Sequence, residues 1–199
     1  KKAPGKLLRI GIVIRPDSQN MVIIMTDAVI PVIPVERVIF LTIQEKHFRF
    51  LDSRIHLDPL KDGDHRHILS YDVTFFDIHS TKARQFGFSL TLNNGKKLTF
   101  LGDEPYNPVC EKYVRDCDWL LHEAFCLYVE RDLWKPYEKH HSTVKDACEL
   151  AQAMQIPNLV LWHTEDSNVA GRERLYKSEG KKYYGGNIFV PDDESLIAL

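Results

Sequence analysis

The sequence carries almost no net charge: 26 basic against 28 acidic side chains leave −2 with histidine neutral. Such a balance supplies no global attraction to nucleic acid or to an anionic membrane, and leaves only a local basic groove for gripping phosphate. Long apolar runs are also missing. The most apolar segment, residues 21–33, is interrupted by Thr26-Asp27 and Pro31. It falls short of the roughly 18 residues of a membrane span, so a buried strand pair is expected there and no membrane partner. No signal peptide is recognised, and the chain opens on Lys1 instead of methionine, as a chain lacking its natural start would. The four cysteines, Cys110, Cys117, Cys126 and Cys148, show no CxxC spacing. Three of them fall on expected helix faces or beside an apolar strand, which implies buried reduced thiols in a cytoplasmic protein rather than disulfides. Repeats, low-complexity tracts and a glycine-rich phosphate loop are absent as well.

What is present centres on residues 139–166. Thr143 followed by Asp146 is a capping-box-like helix start, with Ser142 the alternative cap, and Val144, Ala147, Cys148, Ala151 and Met154 recur at helical spacing. Pro157 stops that helix, and Leu159-Val160-Leu161-Trp162 is a continuous apolar run of the kind shown by a strand buried on both faces. His163 sits where the strand ends, and ligands of open α/β sheets gather outside the carboxyl ends of strands. A solvated loop histidine is the bland alternative.

The pattern repeats upstream. Lys96 to Leu101, after the Asn94-Gly95 turn, reads as a strand running into Gly102-Asp103-Glu104. Asn107-Pro108 reads as N-cap and first helical residue, with Cys110, Val114 and Cys117 on one face. Trp119-Leu120-Leu121 is a short strand delivering His122-Glu123. Three successive strands thus end in Asp103, His122 and His163, and a parallel arrangement brings those ends together. Earlier still, residues 73–78 form a strand ending in His79, and residues 86–92 pair with 98–100 as a hairpin. His65 and His67 alternate, but Arg66 between them and Asp62-Gly63-Asp64 before them favour an exposed hairpin over a metal site. Arg172 to Lys177 is a short helical patch and residues 187–190 a last strand. Residues 1–46 are β-rich and offer no chemistry; residues 47–199 form the rest of the domain organisation. His122 packed among tryptophans, Asp103 as a turn acid, and Tyr128, Trp134 and Tyr137 as core aromatics are the structural alternatives to functional roles.

The ordered set of Asp62-Gly63-Asp64, His79, Phe86-Gly87-Phe88, Leu101-Gly102-Asp103, Leu121-His122-Glu123-Ala124-Phe125, His141-Ser142-Thr143 and His163-Thr164 resembles the C-terminal half of the metallo-β-lactamase superfamily. Within it, the set is most similar to the ribonuclease Z-like phosphodiesterases, over about residues 51–199. The resemblance implies an α/β fold, a metallo-β-lactamase-like αββα sandwich that is incomplete or atypical at its N-terminus. It implies metal ligands at His79, Asp103 and His163, with Asp103 bridging two divalent ions, zinc or alternatively manganese. It implies catalytic roles for His141, as leaving-group acid, and Glu123, with His122 lining the substrate site. Imidazole and carboxylate suit those metals, and a histidine titrating near neutrality can protonate a departing alkoxide.

The family's HxHxDH loop, which carries most of its ligands, does not occur in the sequence. A piece of a longer enzyme, ligands from another chain, or a lost site would each account for this, and the first is expected because the other ligand-type residues are kept. Between His79 and Asp103 there is no long RNA-gripping arm, so small phosphodiesters, cyclic nucleotides or RNA ends are expected as substrates as readily as precursor transfer RNA. A homodimer is allowed. A thioester or lactone hydrolase, or a non-catalytic binding or scaffold module, are the rival readings.

Overall fold

The computed structural model describes residues 60–199, apart from 69–70, 82–83, 166 and 194, together with three short strands nearer the N-terminus. Two units divide the chain, Lys1–Pro59 with Asp192–Leu199, and Leu60–Pro191. In the first, β1 (Ile10–Ile12) pairs antiparallel with both β2 (Ile24–Met25) and β3 (Ile39–Phe40). The strand pair expected within residues 21–33 lies otherwise outside the described residues.

The second unit is built on a seven-stranded sheet. Its first strand, β4 (His65–Ile68), pairs antiparallel with β5 (Tyr71–Asp77) as the expected hairpin, and both histidines of β4 are exposed. The meander continues through β6 (Phe86–Thr91) and β7 (Lys97–Phe100). From there the chain crosses over repeatedly. The short helix α1 (Glu111–Val114) leads to β8 (Trp119–Glu123), which is parallel to β7. The helices α2 (Arg131–Trp134) and α3 (Val144–Ala153) lead to β9 (Asn158–Trp162), and α4 (Val169–Gly180) to β10 (Asn187–Phe189), again in parallel. Strand order is β10-β9-β8-β7-β6-β5-β4.

Local chemistry explains these elements. Thr143 caps α3 in a reciprocal capping box with Asp146, and Val144, Ala147, Cys148 and Ala151 are its buried face. Asn107 caps the 3-10 turn before α1, with Pro108 just inside it. The helix stops at Val114, so Cys117 is buried from the connection that follows and not from the helix itself. The patch expected at 172–177 is the middle of a 12-residue helix whose N-cap is the Asn168 side chain.

One face of the sheet supplies Phe76, Leu120, Leu159, Leu161 and Ile188 to a core closed by Val114, Val144, Ala147, Cys148 and Tyr176. The other face carries an aromatic row, Phe75, Phe88, Phe100 and Trp162, with neighbouring ring centroids 5.1–6.3 Å apart. All four are buried. Among the described residues no helix is long and apolar enough to cross a membrane.

Gly87 lies opposite Phe76 in the β5–β6 ladder, and a Cβ there would come 2.5 Å from the Phe100 carbonyl oxygen and 2.6 Å from the Phe76 ring. Gly87→Ala is therefore expected to destabilise the fold by about 1–3 kcal/mol, read as a lower urea midpoint. All four cysteines are free and buried. Burial pushes Cys117, Cys126 and Cys148 up to about 12 and Cys110 up to about 11, from an ordinary value of 9.0. Above that ordinary value the unfolded chain releases protons that the folded chain keeps, so unfolding gains as pH rises. The thiol contribution to stability should be level below about pH 9 and fall from there toward pH 12. Iodoacetamide at pH 8 should label none of the four thiols before denaturant is added.

Candidate metal centre

The parallel register sets the site. Phe100 pairs with Leu121 and Leu121 with Val160; β8 and β9 finish together at Glu123 and Trp162, two residues beyond the level at which β7 ends. Past Phe100 the chain turns at Gly102, whose φ of +74° suits glycine and whose missing Cβ leaves room for the Ile78 side chain. Asp103 follows. Past Trp162, His163 adopts φ 53°, a left-handed conformation that costs a non-glycine residue of order 1–3 kcal/mol. His79 does the same at φ 56°, its N–H donating to Asp77 Oδ1 at 2.8 Å.

Between α2 and α3 the chain returns to the strand ends. His140 turns left-handed at φ 57°, His141 N–H donates to the Pro136 carbonyl at 2.9 Å, and Ser142 N–H donates to Glu123 Oε1. Glu123 is wholly buried and ends β8, level with Trp162. His141 Nδ1 lies 3.6 Å from the other Glu123 oxygen, Oε2, and 3.5 Å from Asp103 Oδ1. His163 Nε2 lies 3.1 Å from that same Asp103 oxygen. One ligand atom from each of Asp103, His141 and His163 falls within 4.8 Å of the others.

Of the residues singled out from the sequence, Asp103, His141 and His163 come together, with Glu123 directly behind His141. His79 is exposed and outside that trio, but its turn adjoins the Asp103 turn: Ile78 packs at Gly102, and Ser80 Oγ donates to Glu104 Oε1 at 2.7 Å. His122 and Glu123 belong to the strand itself rather than to a loop beyond it. Strand alternation places His122 on the core face with Leu120 and Leu161, and its Nδ1 is 2.6 Å from the Glu123 carbonyl oxygen, which accepts its proton.

Sequence reasoning did not single out Phe125 as a site residue. Its ring stacks on His141 at 5.1 Å and 19°, and lies 6.1 Å from His163. Nor was the Tyr137 hydroxyl foreseen, which donates to Asp146 Oδ2 at 2.9 Å and ties the turn before His141 to the α3 cap. Trp134 meets Phe125 edge-on, while Tyr128 lies under Arg131 and Lys145. Aromatic residues clustered between two site motifs were the available signal.

An imidazole nitrogen of His163 and a carboxylate oxygen of Asp103 are donors that zinc or manganese accepts. Bonds of about 2.0–2.2 Å in a tetrahedron give ligand-to-ligand edges of about 3.3–3.6 Å. The 3.1 Å separation of His163 Nε2 and Asp103 Oδ1 is close to such an edge, with His141 beside them in a cluster spanning up to 4.8 Å. The residues fit a divalent cation.

The family model for the beta-lactamase superfamily domain matches residues 12–164, reaching further back than the motifs beginning near residue 51. Ribonuclease Z of Pyrobaculum arsenaticum is 34% identical over 104 residues, 52% of this chain and 36% of that protein. Ribonuclease Z of Ligilactobacillus salivarius is 31% identical over 102 residues, 51% of this chain and 32% of that protein. The chain thus spans about a third of the length of these curated relatives. The metallo-β-lactamase fold protein YhfI of Bacillus subtilis superposes with a TM-score of 0.60 at 14% identity, covering 74% of this chain and 57% of that one. A diphosphatase of the PhnP family gives 0.56 at 12% identity, covering 78% and 53%. At these identities the likeness shows the fold.

Glu123→Ala leaves the Ser142 amide without its carboxylate acceptor in the interior. A loss of about 1–3 kcal/mol is expected, measured by urea denaturation against a surface Glu→Ala control.

Proposed function

The chain belongs to the metallo-β-lactamase superfamily and is ribonuclease Z-like in sequence, and from that premise we propose that it is a metal-dependent phosphodiester hydrolase acting on RNA ends or small phosphodiesters. The observation that carries this reading is the convergence of Asp103, His141 and His163 at the ends of parallel strands, with buried Glu123 behind His141. Asp103 and His163 would hold divalent metal, zinc or manganese, with His79 a further ligand from the adjoining turn. When bound, such ions supply Lewis acidity toward phosphoryl oxygens and lower the pKa of water.

The chain's own residues do the rest. Glu123 takes the Ser142 amide with one oxygen, which fastens the loop, and faces His141 Nδ1 with the other at 3.6 Å. A ring placed this way can pass a proton to the departing alkoxide oxygen, a contribution of about 10²–10⁴ in rate. His122, which the resemblance assigns to the substrate site, is instead buried on the core face and acts from there, by holding the strand end that carries Glu123. Four free buried thiols suit a reducing compartment such as the cytoplasm.

Leaving-group chemistry tests the assignment. A dinucleotide expels a sugar alkoxide that needs a proton, whereas bis(p-nitrophenyl) phosphate expels a phenolate that leaves without one. His141→Ala should lower turnover of the dinucleotide by about 10²–10⁴ and that of the nitrophenyl ester far less. Equal losses on both substrates would remove His141 from this role. Chelation should abolish both activities, with recovery on adding Zn²⁺ or Mn²⁺; a thioester hydrolysed in preference to either phosphodiester would move the chain to a different reaction.

A further inference from the structure

The residue that follows Ala124 touches both histidine loops at once. Phe125 N–H donates to the Ser142 carbonyl at 2.9 Å, which fastens the His141 loop. The Phe125 carbonyl accepts from Glu165 N–H at 2.8 Å and from the Tyr176 hydroxyl at 3.1 Å, which fastens the segment after His163 and joins it to α4. Its ring does the corresponding work on the side chains. It stacks on His141 at 5.1 Å with an interplanar angle of 19°, and stands 6.1 Å from His163 at 37°. The two imidazoles are themselves 4.8 Å apart at 38°, so the three rings form one cluster. Trp134 at the end of α2, at 6.5 Å and 90°, and Lys139 in the loop that follows, with Nζ 5.1 Å from the ring centroid, flank Phe125.

We propose that Phe125 is a positioning residue that sets the separation and tilt of His141 and His163, and through them the geometry of the metal centre. The inference rests on the reading of that centre given above. Its physical basis is the planarity of the phenyl ring. A stacked ring limits the imidazole to tilting within its own plane's neighbourhood, whereas a branched aliphatic side chain of similar bulk fills space without selecting an orientation. Backbone hydrogen bonds at Phe125 survive any substitution of its side chain, so loop anchoring and ring orientation can be separated by mutation. Groups that orient metal ligands without touching the ion typically change metal affinity or activity by 10- to 100-fold when removed.

The test uses the full chain, its Phe125→Leu variant and its Phe125→Tyr variant, with Co²⁺ as the probe ion and thermal unfolding as the check on folding. Phe125→Leu is expected to weaken Co²⁺ binding by at least about tenfold and to lower kcat on the dinucleotide more than it changes KM. Phe125→Tyr, which keeps a flat ring, should stay within about threefold of the original protein in both. A folded leucine variant with unchanged Co²⁺ affinity overturns the proposal, and so does a tyrosine variant as impaired as the leucine one. Co²⁺ affinity that follows the ring while no protein turns over a phosphodiester leaves the positioning role standing and removes the proposed reaction. A chain that takes up no Co²⁺ overturns both.

Discussion

Everything at this site depends on the shared register of three parallel strands. Because Phe100, Leu121 and Val160 share one register, Asp103 and His163, each three residues past Phe100 and Val160, emerge at one edge of the sheet. Side chains alternate along a strand, so slipping any one of the three by a single residue would carry its whole set to the opposite face. The register is protected by what each face buries. Leu120, Leu159 and Leu161 on the core side and Phe100 and Trp162 on the aromatic side leave neither face indifferent to a slip. The hydrophobic pattern that stabilises the sheet is thus also what aligns Asp103 with His163.

Register alone does not bring in His141, which arrives from a loop. Glu123 does that by placing a carboxylate in the interior at the end of β8 and meeting the Ser142 amide there. A buried acceptor is costly when left unpaired, and the donor that pairs one of its two oxygens here is the backbone amide adjoining His141. The loop's own turn is unfavourable, since Lys135 and His140 both take left-handed φ values. The cost of those conformations is offset by the Glu123 contact, the Phe125–Ser142 backbone bond and the Tyr137–Asp146–Thr143 link. Three of the six non-glycine residues at positive φ among the described residues are histidines next to the site, His79, His140 and His163, while the strands beneath them are regular.

Features governed by neighbours in sequence were legible without coordinates. The Thr143 box, the Asn107-Pro108 start and the Asn94-Gly95 turn each have a local cause, and each appears where that cause puts it. Features governed by partners in space were not. His122 and Glu123 continue β8 because β9 extends to Trp162 and offers them pairing, which nothing in the segment 119–123 alone reveals. Helix α4 outruns its apparent length because its first turn is set by the Asn168 cap and interrupted in pattern by Gly171. Phe125 reads as an ordinary apolar residue after a motif. Its significance depends on two loops that are 17 and 38 positions away in sequence, at Ser142 and His163.

The same distinction bears on how a centre with few visible ligands can hold its shape. Each member of the Asp103, His141 and His163 trio is fixed by protein–protein interactions: Gly102 and Ile78 at the first, Glu123 and Phe125 at the second, the Glu165–Phe125 bond at the third. None of these contacts requires an ion. A cluster assembled by its own scaffold gives up little conformational freedom when a cation enters, so the number and charge of its ligands govern affinity more than any ordering of the loops. His79 stands outside that cluster, in the neighbouring turn, and is the most exposed of the four, its amide donating to Asp77 Oδ1.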